Sequence, residues 1–163
     1  MILLAYRILL VCSGNTCRSP MAGAILRDLL AQRAGQRAAT FVVETAGTDA
    51  YPGQQANAEA IAVMREQGLD LGGHLTRRLD AAMVAEADLI LTMDRSHKQA
   101  VLRLHPRAAE KTFTLFEYAH SEPGKDVEDP FGRGREVYRA TAAELRRALA
   151  AVVDKLLADP FPG

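Results

Sequence analysis

The sequence predicts an α/β fold, a parallel sheet of short strands covered by helices on both faces. Two observations predict it: four short, mostly apolar runs, and longer stretches of helical character between them. Near-continuous apolarity, rather than strict alternation, is the pattern of strands buried on both faces, as parallel strands are. The chain has 163 residues, 48% hydrophobic and 25% charged, which fits one soluble domain of roughly 100–200 residues. Residues 1–163 are therefore read as a single domain. A chain of this size buries about 70% of the surface its unfolded form exposes, so it needs no disulfide or metal staple.

In chain order, Arg7 to Cys12 (RILLVC) is the first strand. A helix over Pro20 to Arg33 follows, with Ser19 as N-cap and Pro20 at the first helical position, where a missing N–H costs nothing. Thr40 to Thr45 (TFVVET) is the second strand, and Asn57 to Gln67 a second helix stopped by Gly68. A short helix over Asp80 to Ala85 precedes the third strand, Asp88 to Thr92 (DLILT). The helix Ser96 to Leu104 ends before His105-Pro106, and Lys111 to Leu115 (KTFTL) is the fourth strand. The last helix spans Arg135 to Ala158, with Tyr138, Thr141, Leu145, Leu149, Val152 and Leu156 along one face, expected to lie on the sheet. Between them, His120 to Arg135 is rich in Gly, Pro and acid, and a loop of this length in a compact domain is often functional.

Charge excludes some partners. Lys plus Arg equals Asp plus Glu at 20 each and the pI is 6.9, which argues against nucleic acid and anionic membrane. The apolar opening from Met1 to Cys12 is interrupted by Arg7 and is far shorter than the ~20 residues of a membrane span. It also lacks the basic start of a signal peptide. Cytoplasmic residence with reduced thiols is the expectation.

The chemistry lies between the first strand and the first helix, where Cys12, Ser13, Gly14, Asn15, Thr16, Cys17, Arg18 and Ser19 form a Cys-x5-Arg-Ser string. A turn there gathers backbone N–H groups at the positive end of a helix dipole and makes an anion cradle. Gly14 and Asn15 are residue types that tolerate the left-handed backbone such a cradle demands. Arg18 offers a planar, two-pronged donor to phosphate oxygens. Cys12 sits at the bottom of the cup, where dipole, N–H groups and Arg18 all favour thiolate over thiol. A thiolate under a bound phosphate is a nucleophile. A lone cysteine at the end of a buried strand is ordinarily a small core residue, but the complete string outweighs that reading. Zinc is disfavoured, because Cys-x4-Cys has no second pair and His74, His97, His105 and His120 lack metal spacing. No Gly-x4-Gly-Lys-Ser/Thr loop exists.

The string from Val11 to Ala22 (VCSGNTCRSPMA) closely resembles the signature of the low-molecular-weight protein tyrosine phosphatase family. Thr45 to Thr48, His74 to Arg78, Leu91 to Asp94 and Asp129 to Gly132 resemble its later blocks, in order and at the right distances. The resemblance spans nearly the whole chain. It implies a four-stranded parallel sheet flanked by helices and hydrolysis of phosphorylated protein side chains through a phosphocysteine, without metal or other cofactor. It makes Cys12 the nucleophile and Arg18 the clamp on the phosphoryl group. Ser19 becomes a hydroxyl donor to the Cys12 thiolate, and Asn15 the keystone of the loop, braced by Ser19, Thr45 and His74. Asp129 becomes the general acid; Pro130 after it biases it to an extended backbone, although Asp-Pro is also a routine turn signal. Asp126 is the competing acid and Glu128 a weaker one. Tyr51 and Phe131 become aromatic walls of the substrate entrance.

Two departures stand out. Gly132 follows Phe131 where many eukaryotic members carry a second aromatic, usually a phosphorylatable tyrosine, so regulation there does not transfer. Gly23 occupies a place commonly held by Glu. Thr16 discriminates between substrates, since most tyrosine phosphatases of the family have isoleucine there. The Asn-Thr-Cys-Arg-Ser version is similar to the bacterial protein arginine phosphatase branch. A phosphorylated guanidinium is rich in N–H donors and wants an acceptor, which Thr16 supplies and isoleucine cannot. Phosphotyrosine is the alternative. Arsenate reductase, which shares the loop, relays oxidation through further cysteines, and none follows Cys17. A non-catalytic phosphate-binding module has no need of both Cys12 and Asp129.

Overall fold

The computed structural model describes residues 5–159; Met1 to Leu4 of the apolar opening lie outside the described residues, as do 160–163. Strands β1 (Tyr6–Cys12), β2 (Phe41–Gly47), β3 (Leu89–Thr92) and β4 (Thr112–Thr114) pair in parallel in the order β2-β1-β3-β4. The chain leaves β1 toward β2 and returns across it to β3, so strand order reverses at β1. The carboxyl ends of strands at such a reversal are where open α/β sheets bind ligands. Cys12 stands at that end, in register with Gly47.

The pleat divides the core. Ile8, Leu10, Leu89 and Leu91 join one buried cluster with α1 (Arg18–Arg33), α2 (Ala58–Glu66), α5 (Leu115–His120) and α6 (Arg135–Ala158). Leu9, Val11 and Ile90 point the other way, toward Val84 of α3 (Ala81–Glu86) and Val101 of α4 (Arg95–Leu104). Helices thus cover both faces. All six predicted core positions of α6, from Tyr138 to Leu156, are buried. Their face rests chiefly on α1, α5 and α2, meeting Ile8 and Leu10 within the same cluster rather than lying along the sheet alone.

All the expected strands and helices form, with no bound moved by more than two residues; β4 and α2 each lose one residue at both ends. Side-chain caps set four of the helix starts: Asn57 accepts from Glu59 N, Asp80 from Met83 N, Asp94 from Ser96 N and His97 N, and Thr114 from Glu117 N. The expected start of α1 needs correction. Ser19 is not its N-cap; Cys17 holds that position with no side-chain cap. Ser19 and Pro20 lie inside the first turn, where N–H groups have no intrahelical partner in any case. The reason is that the Ser19 hydroxyl is engaged by the loop. Helix α5 and the 3-10 turns Gly35–Thr40 and Pro106–Lys111 were not anticipated. Among the described residues, no helix is long and apolar enough to cross a membrane.

Candidate active site

The loop from Cys12 to Arg18 wraps a cavity of about 200 Å³, closed on its far side by Asp129 and Phe131. Cys12 Sγ lies 2.9 Å from Ser19 Oγ. Asn15 Nδ2 donates to that same Oγ at 2.8 Å, so the serine proton is left to point at sulfur. This places the Ser19 hydroxyl where it can donate to the Cys12 sulfur.

Asn15 is wholly buried and carries the left-handed backbone, φ +58°. Gly14 does not, so that expectation holds for Asn15 alone. Besides Ser19, Asn15 Nδ2 reaches Thr45 Oγ1 at 3.0 Å, its Oδ1 accepts from Arg77 N at 2.9 Å, and its carbonyl accepts from His74 Nε2 at 2.8 Å. Burial pushes the His74 imidazole down and Arg27 adds to this, against the raising effect of its bond to Asn15. It is a neutral ring donating through Nε2.

Arg18 is almost fully buried. Its Nη1 donates to Asp94 Oδ2 at 3.2 Å and to the Val127 carbonyl at 3.0 Å, while Nη2 lies 3.7 Å from Asp129 Oδ2. Half the guanidinium is thus anchored and half faces the cavity. Asp94 is held below the ordinary carboxylate range: burial opposes this, but Ser96, His97 and Arg18 prevail. Of the three acids considered, Asp129 lines the cavity, Asp126 is spent on Arg95, and Glu128 pairs with Arg133. Thr16 lines the cavity wall, with its Oγ1 3.6 Å from Cys17 Sγ.

Cys17 is buried, its Sγ 3.2 Å from the Tyr138 hydroxyl. Burial pushes its thiol up, with Asp129 and Cys12 adding to the rise and Tyr138 and Thr16 opposing it. Phe131 is 66% exposed at the cavity mouth. Tyr51 is 74% exposed but is not among the lining residues. Its turn is tied back to Thr76, which bonds the Tyr51 carbonyl, Gly53 N and Gln54 N.

Sequence reasoning assigned no place in the site to Asp94, the Val127 carbonyl, His97, Gly47 or Tyr138, the last of which it placed only in the core. Asp94 carried a signal, an acid two residues before Ser96 at a helix start, but its reach to Arg18 spans 76 residues. Gly47 has tertiary reasons. A Cβ there would stand 2.4 Å from the Ser13 carbonyl oxygen and 2.9 Å from Asn15 N. Gly23 is explained by packing, since a Cβ would meet Thr45 Cγ2 at 2.9 Å and Arg27 Nη1 at 3.4 Å. Arg27 crosses that space to bond the Val43 carbonyl at 2.7 Å.

A Cys-x5-Arg cradle at the reversal point of a parallel sheet defines a protein that handles phosphoryl groups through a cysteine. The chain belongs to the low molecular weight phosphotyrosine protein phosphatase family, whose model matches residues 7–160. It is 37% identical over 151 residues to a protein-arginine-phosphatase of Geobacillus stearothermophilus, covering 93% of this chain and 96% of that one. It is 32% identical over 141 residues to the low molecular weight protein-tyrosine-phosphatase Wzb of Escherichia coli K12, covering 86% and 88%. Among solved structures, a mutant YwlE arginine phosphatase with a phosphorylated active site serine superposes with a TM-score of 0.88. It has 34% identity, and the match covers 94% of this chain and 97% of that one.

Proposed function

We propose that the chain is a cysteine-dependent protein phosphatase that acts on phosphorylated side chains of proteins, phosphoarginine before phosphotyrosine, in the cytoplasm and as a single domain. The convergence of Cys12, Arg18 and Asp129 on one cavity carries the reading. Cys12 Sγ attacks phosphorus in line, forming an S–P bond as the bond to the leaving nitrogen or oxygen breaks. The exposed half of Arg18 and the loop N–H groups bind the equatorial oxygens. Asp129 gives its proton to the departing atom. Water then attacks the phosphocysteine, its proton passes to Asp129, and the S–P electrons return to sulfur, which Ser19 receives as a hydrogen-bonded thiolate.

Thr16 supports the preference for phosphoarginine: it lines the cavity, where an N–H-rich guanidinium needs an acceptor. The exposed Phe131 ring at the mouth favours the second reading, phosphotyrosine. The test compares kcat/KM on phosphoarginine and phosphotyrosine peptides in wild type, Cys12→Ser and Thr16→Ile. Cys12→Ser abolishes turnover on both. Thr16→Ile moves the ratio toward phosphotyrosine by roughly 10–200-fold, the range of one pocket group. An unchanged ratio removes Thr16 as the determinant.

A further inference from the structure

His97 lies on α4, outside the phosphate loop, 1% exposed, and nothing in the reaction above uses it. Its Nε2 is 2.8 Å from Ser13 Oγ. The ring's tautomer follows from its other nitrogen. Asp94 N–H donates to Nδ1 at 3.1 Å. Asp94 Oδ1 is also 3.2 Å from Nδ1, but it already accepts from Ser96 N, Ser96 Oγ and His97 N. Nδ1 is therefore an acceptor, the ring proton is on Nε2, and Nε2–H donates to Ser13 Oγ. A hydroxyl whose oxygen is occupied by a donor has its own proton to give elsewhere, and Ser13 lines the cavity.

We propose that His97 is a positioning residue that holds Ser13 Oγ in place so that its O–H serves as an additional donor to the phosphoryl group. The same ring, through Asp94, ties this donor to the anchor of Arg18, so that clamp and hydroxyl are set by one rigid unit at the start of α4. Burial and Arg18 push the imidazole down, against Asp94, Asp129 and Asp49, which keeps it neutral and the arrangement intact at neutral pH. The inference rests on the phosphatase reading and adds a residue to it.

Two substitutions separate positioning from capping. His97→Asn keeps an acceptor at the δ position for Asp94 N–H and loses the donor to Ser13. His97→Gln presents an amide N–H where Nε2 was and gives up the cap. With a phosphopeptide, Ser13→Ala and His97→Asn should each lower kcat/KM by about 10–100-fold, at or just below the range for one oxyanion donor. The double variant should be no worse than either alone, and His97→Gln should stay within about threefold of wild type while its Tm falls. Wild-type kcat/KM in His97→Asn, with the loss confined to His97→Gln, overturns the proposal and leaves His97 a helix cap. Calorimetric titration with inorganic phosphate keeps the two readings apart. If wild type hydrolyses no phosphorylated substrate, the functional reading fails, and the titration alone judges His97: weaker phosphate binding in His97→Asn supports its role, and equal affinity overturns it.

Discussion

Asp129 is the residue on which the proposed chemistry turns. Its carboxylate faces the cavity and Arg18, its Oδ1 is steadied by Phe131 N at 3.1 Å, and Asp126 is held by Arg95 in a two-pronged pair. Asp129→Ala should lower kcat by roughly 10²–10⁴, the share of general acid catalysis, and less for a leaving group that needs no proton. Assayed beside it, Asp126→Ala should stay near wild type; the reverse pattern would move the acid to Asp126. Cys17 calls for an oxidative test. Peroxide converts a thiolate to sulfenic acid, and a second thiol nearby traps that product as a disulfide. Cys12 and Cys17 border the same cavity in the curled loop. Mild peroxide should therefore remove two hydrogens by intact mass and inactivate reversibly, with dithiothreitol restoring activity. Equal, reductant-recoverable inactivation of Cys17→Ala would leave Cys17 a packing residue. At this scale the sequence was most readable where chemistry is contiguous: the loop from Cys12 to Ser19 needs residue types in a fixed order. Its supports were less so. Ser13 touches His97 across 84 residues and Cys17 touches Tyr138 across 121, separations at which no local pattern links the partners.

Among the elements, β2 has a tighter role than its strand pattern announced. Gly47 ends it under the phosphate loop, where its N–H bonds Arg77 O, its carbonyl accepts from Leu79 N, and the next two N–H groups bond the Cys12 and Ser13 carbonyls. Gly47→Ala forces a methyl against the Ser13 carbonyl and the Asn15 amide. Overpacking of this kind costs about 1–3 kcal/mol. We expect a modest fall in denaturation midpoint and a much larger fall in kcat/KM, because the displaced atoms belong to the cradle. A variant with wild-type kinetics would show that the loop absorbs the methyl elsewhere. The elements also explain which boundaries were legible. Long periodic helices such as α6 announce their ends. Helix α5 follows β4 without a loop, and its only signal is the Thr114-x-x-Glu117 capping box, with Thr114 Oγ1 accepting from Glu117 N and Glu117 Oε1 from Thr114 N. The β-rich reading of Lys111 to Leu115 ran over that box.

For the whole molecule, the two imidazoles beside the site make stability depend on pH. His74 and His97 both titrate below the ordinary value of 6.5, chiefly through burial. Above that value both are neutral in folded and unfolded chains and contribute no slope. As pH falls below it, the unfolded chain binds protons that the folded one refuses, so stability falls until the folded values are passed. Asp94 acts in a lower window. Its contribution is full above 3.8 and is lost as pH drops through its depressed folded value. Urea midpoints should therefore be level from about pH 7 to 8 and decline below 6.5. The double variant His74→Gln, His97→Gln should flatten the first decline; an unchanged slope would assign it to other groups.

The order in which the site's parts occur along the chain also has a consequence for its birth on the ribosome. Cys12 and its cradle precede the rest in the chain, yet the anchors of Arg18 come from Asp94 and Val127, the proposed acid is Asp129, and the partner of Cys17 is Tyr138. A nascent chain therefore carries the proposed nucleophile well before the groups proposed to arm it. On the proposed reading, the sulfur can act on phosphate only once the segments that carry Asp94, Val127, Asp129 and Tyr138 have folded against the loop.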